Sequence, residues 1–219
     1  MIKIAIFGAG GFGREVHSLI EQINEINPTY EFIGYFDDGI ENGKLINDYP
    51  ILGGINELNH YSEDFSIAIA LGDPTIKRKV IEKITNPKVN FPSLIHPGVL
   101  IGNSKFNNIG KGCIICAGVI ITVNTTIKDF VILNLSCTVG HDTIIGDYSS
   151  FMPSVNISGE VIIENSVYVG TGAKIINQLT IGENTIVGAG AVVSKSLPAN
   201  CTAVGVPAKV IKIHEGRLL

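Results

Sequence analysis

A six-residue hydrophobic period runs through the second half of this chain. Stepping by six from Ile109 to Val193 gives an aliphatic or aromatic residue at each of fifteen positions. Hydrophobic residues make up only 45% of the chain, so composition does not explain this unbroken phase. The period fits neither an α-helix nor a half-buried strand, and it is typical of the hexapeptide repeats that build a parallel β-helix.

The residue four places after each of these positions up to Val187 is mostly small or β-branched, with Leu179 as the bulky exception. We expect both residues to face a narrow core, which a second large side chain would overpack. Three hexads should close one coil, so that residues eighteen apart stack. Ile101 and Ile109 are eight apart, which predicts a short insertion near 103–108 and a capping coil around 94–108.

The first ninety residues have a different pattern, in which strands and helices alternate. Ile2–Phe7 is an apolar run of strand length, and GAGGFG and a helical pattern over Arg14–Ile26 follow it. Two further predicted strands, FIGYFDD and SIAIALGD, precede a helix near 75–84. The sequence therefore predicts a Rossmann-like α/β domain with a small parallel sheet in residues 1–90, followed by a β-helix domain in residues 91–219.

The glycine-rich turn has Gly8, Gly10 and Gly13 in GxGxxG spacing. Such a turn lets backbone N–H groups approach a phosphate at a helix N-terminus, and an acid after the next strand can bond a ribose hydroxyl. A tight structural turn is the alternative. A dinucleotide fold needs two mononucleotide halves, and this chain has about one before the hexads begin. We therefore expect one nucleoside diphosphate and disfavour a nicotinamide oxidoreductase.

Composition and charge argue against several classes of partner. The net charge is −4 and there is no basic run, so nucleic acid is not expected. No apolar run approaches membrane-spanning length and no signal-peptide pattern follows Met1, so we expect no membrane insertion and a cytoplasmic location. Cys113 and Cys116 form a CxxC, but the second pair that a zinc ribbon needs is missing, so we interpret them as packing residues and expect no metal site.

His141 is the one histidine within the unbroken repeat. It comes two residues after Val139, so its side chain should leave the coil, and Asp142 follows it. A solvated surface histidine is the plain alternative. An imidazole can take a proton near neutral pH, and an adjacent carboxylate can hold its tautomer, so the pair is a candidate general base with its orienting acid.

Several motifs together resemble a known family. They are GAGGFG, YFDD, IALGD, SLIHPG, Asn134 seven residues before His141–Asp142, and the closing GVPAK. The chain resembles the sialic acid O-acetyltransferase family of hexapeptide acyltransferases, and within it the N-acetyltransferases of nucleotide-activated 4-amino sugars. The resemblance covers almost the whole chain. It implies a left-handed coil, a homotrimer, acetyl-CoA in the groove between adjacent β-helices, and a nucleotide-activated amino sugar held by the N-terminal domain.

The resemblance also implies roles for individual residues. His141 matches the catalytic base and Asp142 its acidic partner, while Phe12 stands where histidine is common and Ser150 where some relatives have histidine. The implied substrate-binding residues are Gly10, Gly11, Phe12, Asp37, Asp38, Gly72 and Asn134. The implied acetyl-CoA-binding residues are Ser150, Gly159, Thr171 and Ala189.

The expected reaction is direct transfer from acetyl-CoA to a sugar amine, with no metal and no covalent enzyme intermediate. Two alternatives stay open at this point. One keeps the fold and transfers the acetyl group to a sugar hydroxyl, as on sialic acid. The other is a non-catalytic trimer that binds a sugar nucleotide.

Overall fold

The structure, a computed structural model, describes residues 1–214. The last five residues of the predicted β-helix domain, 215–219, lie outside the described residues. The N-terminal elements are β1 (Ile2–Phe7), α1 (Gly11–Ile26), β2 (Tyr30–Phe36), β3 (Leu45–Ile46), β4 (Tyr49–Pro50), α2 (Ile55–His60), β5 (Phe65–Ile69), α3 (Pro74–Lys83) and β6 (Val89–Asn90).

The N-terminal sheet is parallel, with strand order β2-β1-β5-β6. Helix α1 begins at Gly11, three residues before the predicted start, because Gly10 is already the extended N-cap residue. Helix α3 begins at Pro74 after Asp73, whose carboxylate accepts from the backbone N–H groups of Thr75 and Ile76. The short helix α2 and the β3–β4 hairpin were not predicted from the sequence.

The rest of the chain winds into a prism of two-residue strands. They are β7 (Leu94–Ile95), β8 (Leu100–Ile101), β9 (Asn108–Ile109), β10 (Ile114–Ile115), β11 (Ile120–Ile121), β12 (Thr126–Ile127), β13 (Ile132–Leu133), β14 (Thr138–Val139), β15 (Ile144–Ile145), β16 (Ser150–Phe151), β17 (Asn156–Ile157), β18 (Ile162–Ile163), β19 (Tyr168–Val169), β20 (Lys174–Ile175), β21 (Thr180–Ile181), β22 (Ile186–Val187) and β23 (Val192–Val193). A hairpin of β24 (Cys201–Val204) and β25 (Lys209–Ile213) closes the described part.

The prism has three faces, each a sheet whose neighbouring strands come from successive coils. The first face runs through β7, β10, β13, β16, β19, β22, β24 and β25; the second through β8, β11, β14, β17, β20 and β23; the third through β9, β12, β15, β18 and β21. Paired residues such as Ile114 and Ile132 are eighteen apart, as the hexad pattern predicts. The fold class is therefore confirmed: an α/β domain followed by a left-handed parallel β-helix.

The inward residues form one continuous core. The aliphatic positions from Ile115 to Val193 are buried, and so are the predicted small positions that alternate with them. Leu179 is the exception, being only partly buried. The predicted insertion is a short 3-10 helix over Ser104–Phe106. The small positions are Cys113, Val119, Thr125, Val131, Cys137, Thr143, Ser149, Val155, Val161, Val167, Ala173, Thr185 and Ala191.

The N-terminal domain covers the first face of the prism. Val16 and Leu19 of α1 are buried in one cluster with Leu94, Ile114 and Ile132, the outward residues of β7, β10 and β13. The other two faces carry uncovered apolar side chains, which are Leu100 and Ile120 on the second face and Ile144 and Ile162 on the third.

All four cysteines are free and buried, and burial raises the pKa of the Cys113 thiol to about 11. Cys113 fills a small core position of the prism and Cys116 packs in the core between the N-terminal domain and the prism, in agreement with their interpretation as packing residues. No helix within residues 1–214 has both the length and the apolar character needed to cross a bilayer.

Candidate active site

His141 lies on the vertex between the second and third faces, which we call the His141 vertex. It follows β14, and 55% of its side chain is exposed. Its Nδ1 is 2.8 Å from Oδ2 of Asp142. Because an ionised carboxylate can only accept, the proton of the neutral ring lies on Nδ1 and the lone pair on Nε2. Nε2 has no hydrogen-bond partner among residues 1–214, so this nitrogen is available to a ligand.

Asp142 is held from two sides. Its Oδ2 accepts from His141, and its Oδ1 accepts from Nδ2 of Asn124 at 3.0 Å. The hydrogen bond from His141 and then that from Asn124 lower the pKa of Asp142 below its ordinary value. Asn124 lies one coil before Asp142 on the same vertex. Asn124 was not predicted from the sequence, although its eighteen-residue spacing from Asp142 was a usable signal.

Gly159 lies one coil after His141, and the imidazole covers it. A Cβ built at Gly159 would be 2.5 Å from Nε2 and 2.6 Å from Cε1 of His141. Any larger residue there would push the ring aside. The backbone of the vertex is fixed as well, because the N–H of Glu160 donates to the carbonyl oxygen of His141 at 2.7 Å.

The predicted glycine turn opens α1 at the carboxyl end of the N-terminal sheet. A Cβ built at Gly13 would be 1.9 Å from the carbonyl oxygen of Gly8, so only glycine permits this close approach of helix and strand. Gly10 and Gly11 are exposed, and a Cβ at either would meet nothing within 4 Å. Phe12 is partly buried and packs against the core between domain and prism. The first turn of α1 has no acidic side chain and no side-chain cap, which leaves its N–H groups for an anion.

Asp37 and Asp38 follow β2 and border a cavity of about 290 Å³. Oδ2 of Asp37 accepts from the N–H of Ala9 at 2.8 Å and therefore ties the glycine turn to β2. Oδ1 of Asp38 accepts from the N–H of Ile55, the first residue of α2. Gly72 lies after β5, where an added Cβ would be 3.8 Å from Cε of Met152 on the prism.

Ser150 lies beneath α3. It is the outward residue of β16 on the first face, and it has no exposed surface. Its hydroxyl accepts from Nζ of Lys77 at 2.8 Å. A cofactor cannot reach a side chain covered in this way, so we leave Ser150 out of the site proposed below. Neither this contact nor Lys77 was expected from the sequence.

The remaining sequence-derived residues lie on a second vertex, between the first and second faces, which we call the Asn134 vertex. Thr171 and Ala189 are exposed there, one coil apart. Asn134 is 6% exposed, and its Oδ1 accepts from the N–H of Leu135. Within one chain the structure therefore brings His141, Asp142 and Gly159 together, and it separates them from Asn134, Thr171 and Ala189 by the width of the second face.

Similarity to known proteins extends over almost the whole chain. Residues 3–84 match the PglD N-terminal domain, and residues 160–195 match the bacterial transferase hexapeptide family. The chain is 35% identical over 215 residues to GDP-perosamine N-acetyltransferase of Escherichia coli O157:H7, an alignment that covers 94% of this chain and 95% of the other. The chain belongs to the family of hexapeptide-repeat N-acetyltransferases of nucleotide-linked amino sugars.

Two solved structures of this N-acetyltransferase family match both halves together. PerB of Caulobacter crescentus, in complex with CoA and GDP-perosamine, has a TM-score of 0.82 at 28% identity, with 96% of this chain and 97% of that one covered. The acetyltransferase domain of PglB from Neisseria gonorrhoeae FA1090, in complex with acetyl coenzyme A, has a TM-score of 0.84 at 31% identity, with 95% and 98% covered. The family resemblance drawn from the motifs is confirmed.

Proposed function

We propose that this chain transfers the acetyl group of acetyl-CoA to the amine of a nucleotide-linked 4-amino-deoxysugar, with His141 as general base. The observation that carries the proposal is the exposed imidazole, whose Nδ1 bonds Asp142 and whose Nε2 has no hydrogen-bond partner in the part of the chain that the structure describes. Full-length similarity to a GDP-perosamine N-acetyltransferase supports the substrate class. The complexes of relatives with CoA or acetyl-CoA support the co-substrate.

The nucleotide sugar is proposed to bind on the N-terminal domain. The N–H groups at the start of α1, near Gly10, Gly11 and Phe12, suit the diphosphate because a helix N-terminus attracts negative charge. Asp37 and Asp38, which border the cavity, suit the base and ribose. Gly72, after β5, is proposed to contact the same ligand from the side of the sheet that faces Met152. Asn134, at the vertex between the first and second faces, is proposed to line the acceptor site, as the family resemblance implies.

The complete site requires a second copy of the chain. The N-terminal domain covers the first face, and the His141 vertex is the corner of the triangle opposite that face. One chain therefore cannot bring its own sugar pocket to its own His141. A homotrimer would set the Asn134 vertex of one copy against the His141 vertex of the next. The uncovered Leu100, Ile120, Ile144 and Ile162 support burial of these faces between copies.

Acetyl-CoA is proposed to lie in the groove between the two vertices. Thr171 and Ala189 would meet the pantetheine arm from one copy, and Gly159 would meet the thioester end from the other. The backbone of Gly159 is close enough to the His141 ring that a thioester there would lie beside Nε2. An N–H group aimed at the carbonyl oxygen stabilises the oxyanion of the tetrahedral intermediate.

The chemistry follows from the tautomer. The amine nitrogen of the sugar attacks the thioester carbon while Nε2 of His141 takes a proton from that amine. Asp142 stabilises the imidazolium that forms. The tetrahedral intermediate collapses with loss of the CoA thiolate, to which the imidazolium returns the proton. The products are an acetamido sugar nucleotide and free CoA.

The test is to incubate the purified protein with acetyl-CoA and a panel of GDP-, UDP- and dTDP-linked 4-amino sugars and to follow thiol release and product mass. We expect an acetamide product, and a loss of kcat/KM of ~10²–10⁴-fold in His141→Ala, the usual contribution of a general base. His60→Gln, on exposed α2, serves as the histidine control. Wild-type-like turnover by His141→Ala would remove His141 from the mechanism, and acetylation of a hydroxyl would change the acceptor.

A further inference from the structure

Lys77 is a buried amine at the contact between the two domains. It lies on α3, which begins two residues after Gly72, a residue proposed to bind the sugar nucleotide, and it is 1% exposed. Its Nζ donates to the hydroxyl of Ser150 at 2.8 Å and is 3.4 Å from the carbonyl oxygen of Ser149. Both acceptors belong to the prism, so a single side chain of the nucleotide domain reaches into the first face.

A buried lysine is an unfavourable choice for simple packing. Burial lowers the pKa of Lys77 to about 7, while Cys113 on the prism and Asp73 at the N-cap of α3 act in the opposite direction. A methionine would fill similar space without desolvating an amine, and replacing buried charged groups by apolar residues is often neutral or stabilising. The amine of Lys77 therefore supplies an interaction that apolar packing does not, namely a hydrogen bond whose geometry depends on the relative position of donor and acceptor.

The neighbouring contacts show which part of the domain this bond fixes. Arg78, the next residue, lies over the ring of Tyr148 at 5.7 Å and forms an ion pair with Glu183 at 3.8 Å. Gly72 faces Met152, two residues after Ser150, and a Cβ built at Gly72 would be 3.8 Å from Cε of Met152. These contacts bring the start of α3 and the edge of the sugar pocket to the coil of β16, one coil after Asn134. The packing of α1 on the earlier coils is apolar and does not by itself define a height along the prism.

We propose that Lys77 is a positioning residue for acetyl transfer: its hydrogen bond to Ser150 fixes the height and tilt of the nucleotide-sugar pocket over the first face, and thereby the place at which the sugar amine meets His141 of an adjacent copy. This inference rests on the proposed function. The pocket itself lies within the N-terminal domain, so nucleotide binding should survive the loss of Lys77 while alignment of the amine should not.

The test compares Lys77→Met, Ser150→Ala and the double variant with wild type. For each single variant we expect a fall in kcat of about 10- to 100-fold, which is the effect of misplacing a reacting group by about an ångström. The KM values for acetyl-CoA and for the sugar nucleotide should stay near those of wild type. The double variant should be no worse than Lys77→Met, since the two residues share one interaction. Thermal unfolding measured in parallel separates misalignment of the substrate from loss of the fold. A purely structural role of Lys77 would lower Tm and leave kcat per folded site unchanged.

Ser150→Ala removes only one oxygen atom, so it remains informative if Lys77→Met does not fold. Hydrogen exchange gives a second readout that does not depend on activity: amides of α3 should exchange faster in Ser150→Ala, and those of β14 and β15 should not. Wild-type kcat in Ser150→Ala, or unchanged exchange in α3, would overturn the positioning role. Absence of transfer by the wild-type protein would instead reject the proposed function, and the exchange result would still decide the role of Lys77.

Discussion

The imidazole of His141 lies over the Cα of Gly159, one coil further along the prism. An alanine methyl group at Gly159 would be 2.5 Å from Nε2 and would force the ring out of its position. We therefore expect Gly159→Ala to lower kcat by about 10²-fold through misplacement of the base, with little change in Tm. Steady-state kinetics and thermal unfolding measure the two effects. Ser158→Ala, on the neighbouring exposed residue, is the control, and wild-type kcat in Gly159→Ala would contradict the proposed role of the ring.

The Asn124–Asp142 hydrogen bond makes a second prediction. Asn124→Gly removes the amide donor at a backbone φ of 57°, which glycine adopts without strain. A lost hydrogen bond of about 1 kcal/mol predicts a fall in kcat of roughly fivefold. The pKa of Asp142, which His141 and Asn124 lower, should rise toward its ordinary value, and NMR titration of the Asp142 carboxyl carbon measures this change while steady-state kinetics measures kcat.

The same vertex offers a matched control for this variant. Gln178 donates to Glu160 at 3.2 Å, and these residues are also one coil apart with left-handed backbones. Gln178→Gly removes the same kind of amide–carboxylate pair two coils further along the prism. Equal losses in the two variants would mean that the effect comes from the coil and not from Asp142.

Lys77 predicts an unusual dependence of stability on pH. Its pKa is lowered by burial from 10.5 to about 7, so the unfolded chain holds a proton between these values that the folded chain lacks. Stability therefore rises with pH across this window, with a slope of up to about 1.4 kcal/mol per pH unit from this group. Below pH 7 the lysine is charged in both states and the burial penalty is fully present.

Relative to wild type, the free energy of unfolding of Lys77→Met should therefore be highest below pH 7. The difference between the two proteins should shrink toward pH 10. Chemical denaturation at a series of pH values measures it, with Lys128→Met on the exposed side of the prism as control. A difference that is constant with pH would show that Lys77 does not change its protonation on unfolding.

The exposed isoleucines of the third face predict assembly. Ile144 and Ile162 are neighbours in β15 and β18 and are 42% and 45% exposed in the single chain. If a second copy buries them, Ile162→Glu should dissociate the trimer and abolish most of the activity while the monomer stays folded. Light scattering after size exclusion measures the mass. Ile26→Glu changes an equally apolar, exposed residue at the end of α1, and it should leave both mass and activity unchanged.

Some secondary structure could not be predicted because it lacks a local period. Helix α2 has six residues, is capped through Gly54 and Glu57, and buries only Leu58, which is too little for a helical pattern to be recognised. The early start of α1 was not predicted for a similar reason. Its first turn contains glycines and Phe12, which give no helical pattern, and the turn before it is held by the hydrogen bond from the N–H of Ala9 to Asp37.

The prism, by contrast, follows from the sequence alone. Every coil needs aliphatic and small residues at the same inward positions. The eighteen-residue stacking interval and the outward direction of His141 therefore follow from the spacing of these residues in the sequence. Even the Asn124–Asp142 and His141–Gly159 contacts are at that interval. The tertiary structure decided which of the three faces the nucleotide domain covers, that Ser150 lies beneath Lys77, and that His141 is on the opposite vertex. These three features depend on which of several similar coils a non-repeating helix contacts. The sequence contains no periodic signal for that choice.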